Sequence, residues 1–413
     1  MGKDNKKHLV GQPIFKQIIQ MIPREKFDHL VKKNKGDRYY KSFSSWDELV
    51  TMLFGIFSRC DSMGEVCDGM RALGGKLNYL DMDCSPAKST AGDGLRNRSE
   101  DIFKQVYRML IDHFQPILSV SRKEDVKFEQ FYAFDSTTIT LFADVMKGVG
   151  RNPKGDGKKK GGLKVHLLTD VHTDSAKFAT ISEAKMHDKK FLSKLTLPAG
   201  SMVTMDRAYN FYKQFSQWTE EGVFFVTRQK KNAKSQVIET LYECSQTDMD
   251  NKKKACVLKE EHIHLSYKDA KKHNNLCLRR VTYRDEKDRL YHFITNNWDI
   301  TAAEVALIYK HRWTIELVFK KLKQNFQLHF FYSDTENGIK TQIWCTLIAH
   351  LLLNVIRRLS KTKKAFSTVA ALIRIHLISH LDLMWVVTEA RRSYTKRTKS
   401  KNKSPGAIQM SLF

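Results

Sequence analysis

Cysteine is scarce and poorly placed for any framework. There are seven in 413 residues, an odd number at scattered spacings with no Cys-x-x-Cys pair. They read as reduced cytosolic thiols, with neither a disulfide frame nor a zinc site. The 15 histidines likewise show no metal-ligand spacing. Long apolar runs are missing too. The longest, Ile343 to Ile356, contains His350 and Asn354 and falls short of the roughly 20 residues a bilayer needs. Met1 to Lys7 is basic but has no apolar stretch behind it, so no signal peptide is expected. The Ser/Thr that N-myristoylation needs is also lacking. Acidic residues are outnumbered, with 45 Asp+Glu against 71 Lys+Arg and a net charge of +26. A folded chain this basic calls for a polyanion, which leaves DNA, RNA or an anionic membrane.

Hydrophobic residues make up 41% of the chain, enough to bury a sizeable core and exclude wholesale disorder. Length alone suggests two or three domains, and no internal repeat is present. Residues 1–125 read as helical. Ile14, Ile18, Ile19 and Ile22 recur at helical spacing until Pro23. Ser45 with Glu48 forms a capping-box pattern ahead of Leu49, Met52, Leu53 and Phe57. Residues 102–117 are amphipathic, and a turn at Ser85–Thr90 leads into a short basic helix with Arg96 and Arg98. Such helices suit either a DNA-reading domain or a bundle with a solvated basic face.

From residue 126 the texture becomes α/β. Strand-like segments at 126–134, 136–142, 163–168, 178–182, 201–205 and 223–227 alternate late with helices at 189–195 and 209–221. Residues 229–299 read as a β-rich insertion, with strands at 237–242, 255–258, 263–267, 276–283 and 290–295. A single helix is expected from Thr301, capped by Glu304, to about Phe326. Further helix follows to about residue 387, and 388–413 is a basic tail. The Gly- and Lys-rich stretch Lys147–Lys164 suits a basic loop, either solvated or close to nucleic acid.

Three carboxylates stand out. Asp135 is expected at the end of the aromatic strand Phe131-Tyr132-Ala133-Phe134, and Asp206 at the end of Ser201–Met205. Strand ends are where α/β sheets place ligands, although turn and cap roles are the ordinary ones for such aspartates. Glu316 lies between Ile315 and Leu317 in the helix. At about 100° per residue, Tyr309, Arg312, Glu316 and Lys323 fall within an arc of about 60°. That stripe suits either ordinary salt bridging or a phosphate-facing edge of an active site. Carboxylates from two strands and a helix form a minimal set for Mg²⁺, and two such ions support in-line phosphoryl displacement.

Tyr309-x-x-Arg312-x-x-x-Glu316, then six residues and Lys323, resembles the Tyr-Arg-Glu-Lys signature of bacterial insertion-sequence DDE transposases of the insertion-sequence-four family. Phe134-Asp135-Ser136-Thr137 is similar to that family's first aspartate strand. Met205-Asp206-Arg207-Ala208-Tyr209 is similar to its second motif, with Ala208 where the family often has glycine. His187-Asp188 resembles a pair preceding the second motif. The likeness covers roughly residues 126–360, and the 110 residues from Asp206 to Glu316 hold the β-rich insertion.

The resemblance implies an α/β protein with a ribonuclease-H-like catalytic core in two parts, 126–228 and 300–387. The insertion 229–299 interrupts it, and an N-terminal helical DNA-binding domain precedes it. It implies that Asp135, Asp206 and Glu316 are catalytic and hold two Mg²⁺, with Mn²⁺ able to substitute. Tyr309, Arg312, Lys323 and Arg207 would contact DNA. The partners implied are double-stranded DNA, as terminal inverted repeats and target, and a second copy of the chain in a homodimer on DNA. The location implied is the bacterial cytoplasm, at the nucleoid, with no membrane. A DNA-binding regulator or catalytically inactive relative is the alternative. A junction resolvase would cut without joining, and no recognisable RNA module supports an RNA-binding role.

Overall fold

The computed structural model describes residues 10–119, 127–140, 162–183, 189–245, 255–269, 272–326 and 330–388. The 147–164 stretch up to residue 161, the His187-Asp188 pair and the 391–403 tail lie outside the described residues. The chain divides into two compact units. One comprises Met1–Ile117, Asn325–Ser333 and Asn337–Phe413, and the other Leu118–Gln324 with Asp334–Glu336. The sequence grouping of 300–387 with the core differs from this division, which assigns Asn337 onward to the same unit as the N-terminal helices.

The second unit is mixed α/β around one sheet. Its strands are β1 (Phe131–Thr140), β2 (Gly162–Asp170), β3 (Ser175–Glu183), β4 (Met202–Met205), β5 (Phe224–Arg228), β6 (Ser235–Glu243), β7 (Cys256–Asp269), β8 (Lys272–Arg284) and β9 (Leu290–Thr295). Their spatial order is β3-β2-β1-β4-β5-β9-β8-β7-β6. β1, β4 and β5 run parallel, and the other pairings are antiparallel. β4 is buried at all four positions, as a strand covered on both faces of a parallel segment should be. The helix Tyr212–Glu220 makes the crossover from β4 to β5 and stacks Phe215 on Phe225, ring centroids 4.1 Å apart.

Three local expectations are corrected. Asp135 does not end a strand: residues 131–140 form one continuous β1, with Asp135 opposite Leu167 of β2. The parallel ladder with β4 does end at Phe134 opposite Met205, so Asp135 is the first residue of β1 beyond it. The insertion strands expected at 255–258 and 263–267 are one long β7, with a register shift between Val257 and Lys259. Finally, the helix from Thr301 breaks. Ala302–Lys310 and Trp313–Phe326 are separate helices, joined where the His311 N–H is shared between the Leu307 and Ile308 carbonyls and the Arg312 N–H donates to Tyr309, three residues back. That tighter turn resets the helical phase, so the 60° arc does not describe the segment.

In the other unit, helices at Ile14–Ile19, Arg24–Lys33, Ser45–Ser58, Met63–Ala72, Lys88–Asn97 and Asp101–Leu118 carry the N-terminal half. The capping box sits one residue earlier than expected: Ser44 is the cap and Asp47 its partner. Glu336–Leu359 is long and apolar enough to cross a membrane by composition, but its apolar window is 94% buried within the protein. Asn337 donates to the carbonyls of Leu95 and Arg98, and Trp344 Nε1 to Glu100, tying this helix to the N-terminal ones. Arg98 and Glu48 form a fully buried ion pair there.

Candidate active site

The parallel strands β1, β4 and β5 bring three positions to one end of the sheet. Asp135 follows the last β1–β4 pair, and Asp206 follows Met205 at the end of β4. Arg228 is the last residue of β5, just past the final β4–β5 pair of Met205 with Thr227. Asp206 caps a short 3-10 turn, Arg207–Tyr209, accepting from the Ala208 N–H at 3.1 Å. A glycine is not required at Ala208, because no positive φ is recorded there.

One arginine bridges two of the carboxylates, and a second holds the third. Arg312 donates to Glu316 Oε1 at 2.7 Å and lies 3.6 Å from Asp135 Oδ2. Arg228 donates to Asp206 Oδ2 at 3.1 Å. Glu316 stands in the first turn of its helix, where a carboxylate suits the helix dipole. The Asp135 carboxyl also accepts from the Ser136 N–H at 2.7 Å, and Tyr209 Oη reaches it at 3.4 Å. Burial pushes Asp135 up to about 6; the Ser136 N–H and Arg312 oppose this, while Asp206 and Glu316 add to it. Asp135 therefore lies within electrostatic reach of both other acids.

Tyr309 lies under both guanidinium groups, with Arg228 5.7 Å and Arg312 5.9 Å from its ring centroid. Burial raises its hydroxyl above the ordinary phenol value. A cleft of about 820 Å³ adjoins these residues, lined by Arg228, Tyr283, Tyr291, Phe293, Tyr309, Arg312 and Trp313 among others. Two residues singled out in the sequence stand apart from the cluster. Lys323 Nζ donates to the Thr138 carbonyl at 3.5 Å, roughly 10 Å further along β1 than Asp135. Arg207 is exposed on the turn after Asp206.

Arg228 and Tyr209 are the site residues that sequence reasoning missed. A signal for Arg228 existed, since it is a lone cation ending a short aromatic and β-branched strand at the same sheet end as Asp206. Tyr209 belongs to the quoted second motif, and its hydroxyl donates to Ser136 Oγ at 2.7 Å. That contact fixes the turn after Asp206 against β1.

The donor set suits a hard divalent cation, which prefers carboxylate oxygens and retains water. Asp135 supplies an independent sign of fit: a buried carboxylate penalised by desolvation is one that a cation would relieve.

The Sinorhizobium fredii protein y4zB, named as a transposase, is 26% identical over 209 residues, covering 50% of this chain and 57% of that protein. A Geobacillus stearothermophilus protein named as the transposase of insertion sequence element IS5377 is 25% identical, covering 61% of this chain and 63% of its own length. The matches thus span less than two thirds of these two relatives. The transposase for insertion sequence element IS231D of Bacillus thuringiensis subsp. finitimus is 21% identical, covering 81% of this chain and 79% of that protein. A solved piggyBac transposase synaptic complex with hairpin DNA aligns over 96% of this chain and 85% of that chain, with a TM-score of 0.40 and 11% identity, too remote to bear on the fold. A domain of unknown function, DUF4372, matches residues 10–82. The family model described as the transposase DDE domain matches residues 127–352, more than half of the sequence, and the chain belongs to that family of bacterial insertion-sequence DDE transposases.

Proposed function

We propose that the chain is the transposase of a bacterial insertion sequence of the insertion-sequence-four group. It binds the terminal inverted repeats of double-stranded DNA and catalyses cleavage and strand transfer into target DNA. The observation that carries the reading is the convergence of Asp135, Asp206 and Glu316 around Arg312 and Arg228 at one end of β1, β4 and β5. The order β3-β2-β1-β4-β5, with β1 to β3 antiparallel and β4 and β5 parallel to β1, supports a ribonuclease-H-like core.

Asp135, Asp206 and Glu316 would hold the divalent metal that the family uses, here two Mg²⁺ with Mn²⁺ as substitute. Bound there, the metal supplies Lewis-acid activation of the phosphodiester and of the attacking water or 3′-OH. The chain's own groups do the rest. Arg312 and Arg228, once released from the carboxylates, turn to phosphate oxygens, for which a guanidinium fork is shaped. Tyr309 and the aromatic wall of the adjoining cleft suit a stacked, displaced nucleotide. Lys323 and Arg207 neutralise phosphates further along the strand, and the N-terminal helical unit reads the element ends. Two ends must react in concert, so the working form is a homodimer on DNA, acting at the nucleoid in the cytoplasm.

The test is cleavage of a plasmid carrying the gene with its native flanks. Wild type in Mg²⁺ should cut at paired ends, and Ca²⁺ should support binding alone. Glu316→Gln should bind the ends and cut nothing. Loss of end binding in that variant would remove Glu316 from the chemistry.

A further inference from the structure

A second donor cluster lies on the insertion, away from the carboxylates. His262 and His264 alternate on β7, so both side chains share one face. Cys277 of β8 pairs directly opposite His264 and joins that face. The three donor atoms lie within 4.8 Å of one another, the one such group of His, Cys, Asp and Glu found among the described residues. The neighbouring residues on the strands, Ile263, Leu265 and Leu278, point into the core and are fully buried, which fixes the register and hence the cluster.

We propose that His262, His264 and Cys277 bind a transition-metal ion of the Zn²⁺ class. Two imidazoles and a thiolate select Zn²⁺ over Mg²⁺, which prefers oxygen. Tetrahedral Zn–N and Zn–S bonds require donors roughly 3.3–3.6 Å apart. Side-chain rotation of about 1 Å closes the gap from the observed spacing. A second observation points to a ligand. The Nε2 of His262 is buried and has no hydrogen-bond partner among the described residues, which is costly for a ring nitrogen unless something coordinates it. The nearby cations do not oppose binding: Arg279, opposite His262, is neutralised by Glu260 at 2.8 Å, and Arg280 by Glu261 at 2.7 Å. The fourth position opens on the exposed Cys277 side, where water can occupy it.

The site departs from the sequence reading of thiols without a zinc role. Linear spacing hides it, because the thiol comes from the partner strand. Bound metal would staple β7 to β8. It would also fix the His262 ring, which meets Trp298 in a T-shaped contact with ring centroids 5.2 Å apart. Trp298 precedes the helix that carries Tyr309, so the staple would brace the approach to that helix.

The experiment is Co²⁺ titration of the full-length protein after chelator dialysis, read by absorption, followed by Zn²⁺ competition. Wild type should develop a thiolate-to-cobalt charge-transfer band that Zn²⁺ abolishes. Cys277→Ser should lose that band and bind about tenfold or more weakly. Its fold should be intact by circular dichroism, because Cys277 is exposed. Asp135→Asn should titrate like wild type, which separates this site from the carboxylate cluster and makes its success or failure independent of the transposase reading. Absence of the band in wild type, or its persistence in Cys277→Ser, would overturn the proposal.

Discussion

Replacing Arg312 with glutamine should tighten metal binding to the DNA-free protein while abolishing cleavage. Without DNA the guanidinium occupies the space between Asp135 and Glu316, at 3.6 Å and 2.7 Å. A metal drawn to those oxygens must first displace it. A charge-assisted hydrogen bond contributes about 1.5–3 kcal/mol in protected settings, and a solvent-screened pair about 0–1. The Arg312 side chain is 14% exposed, and Asp135 and Glu316 are 19% and 32% exposed, so an intermediate value of about 2 kcal/mol applies after screening. Glutamine removes the charge and most of that competition, so apparent Mn²⁺ affinity should rise about 30-fold. Electron paramagnetic resonance of free Mn²⁺ measures this directly, and Mn²⁺, a hard ion, avoids the His/His/Cys group. Cleavage should fall if the guanidinium serves the phosphate contact proposed for it. A folded Arg312→Gln protein with unchanged or weaker Mn²⁺ binding would refute the idea that Arg312 stands in for the metal.

Three other outcomes are expected. Arg98→Met leaves Glu48 unpaired in the core and the carbonyls of Gly36 and Phe43 without their donor, so it should cost about 3–5 kcal/mol in urea unfolding; adding Glu48→Leu should recover most of that. Burial, against the pull of Arg98, pushes Glu48 from 4.5 up to about 7. The folded state then keeps a proton that the unfolded chain releases. The stability this supplies is complete below the unfolded value and is lost as pH rises through the raised folded value; Glu48→Gln should flatten that slope, and an unchanged slope would exclude Glu48 as its source. Gly338→Val should destabilise by about 1–3 kcal/mol, since even a Cβ there would meet Ser333 at 2.4 Å and the Leu95 carbonyl at 3.2 Å; thermal unfolding reports it.

What was legible in the sequence was local. Asp206 ends a four-residue strand buried throughout, and Thr301 with Glu304 forms the capping box that the spacing announces. Asp135 stands out in the sequence as a carboxylate after an aromatic run, but its place within the strand does not: β2 continues to pair with β1 past the point where β4 stops, and no pattern within 131–142 encodes a neighbour's length. The helix break at His311–Arg312 was hidden because the apolar periodicity continues across it. The consequence is that Arg312 reaches two carboxylates by standing at a corner rather than along a stripe. Arg228 and the His262–His264–Cys277 group depend on strand pairing between residues far apart in sequence, which periodicity cannot register.

The position of β9 constrains how such a protein can diverge. That strand is not peripheral: it lies between β5 and β8, pairing Phe293 with Arg228 on one side and with Val281 on the other. Strands β1 to β5 and strands β6 to β8 therefore share one hydrogen-bonded lattice with no seam. A residue gained or lost in β9 would re-register the strand that carries Arg228 and with it the partner of Asp206. Change is cheap at the far edge, where β6 is exposed along nearly its whole length and pairs with β7 alone. The outermost strand β6 can therefore be remodelled while β9 stays fixed in length.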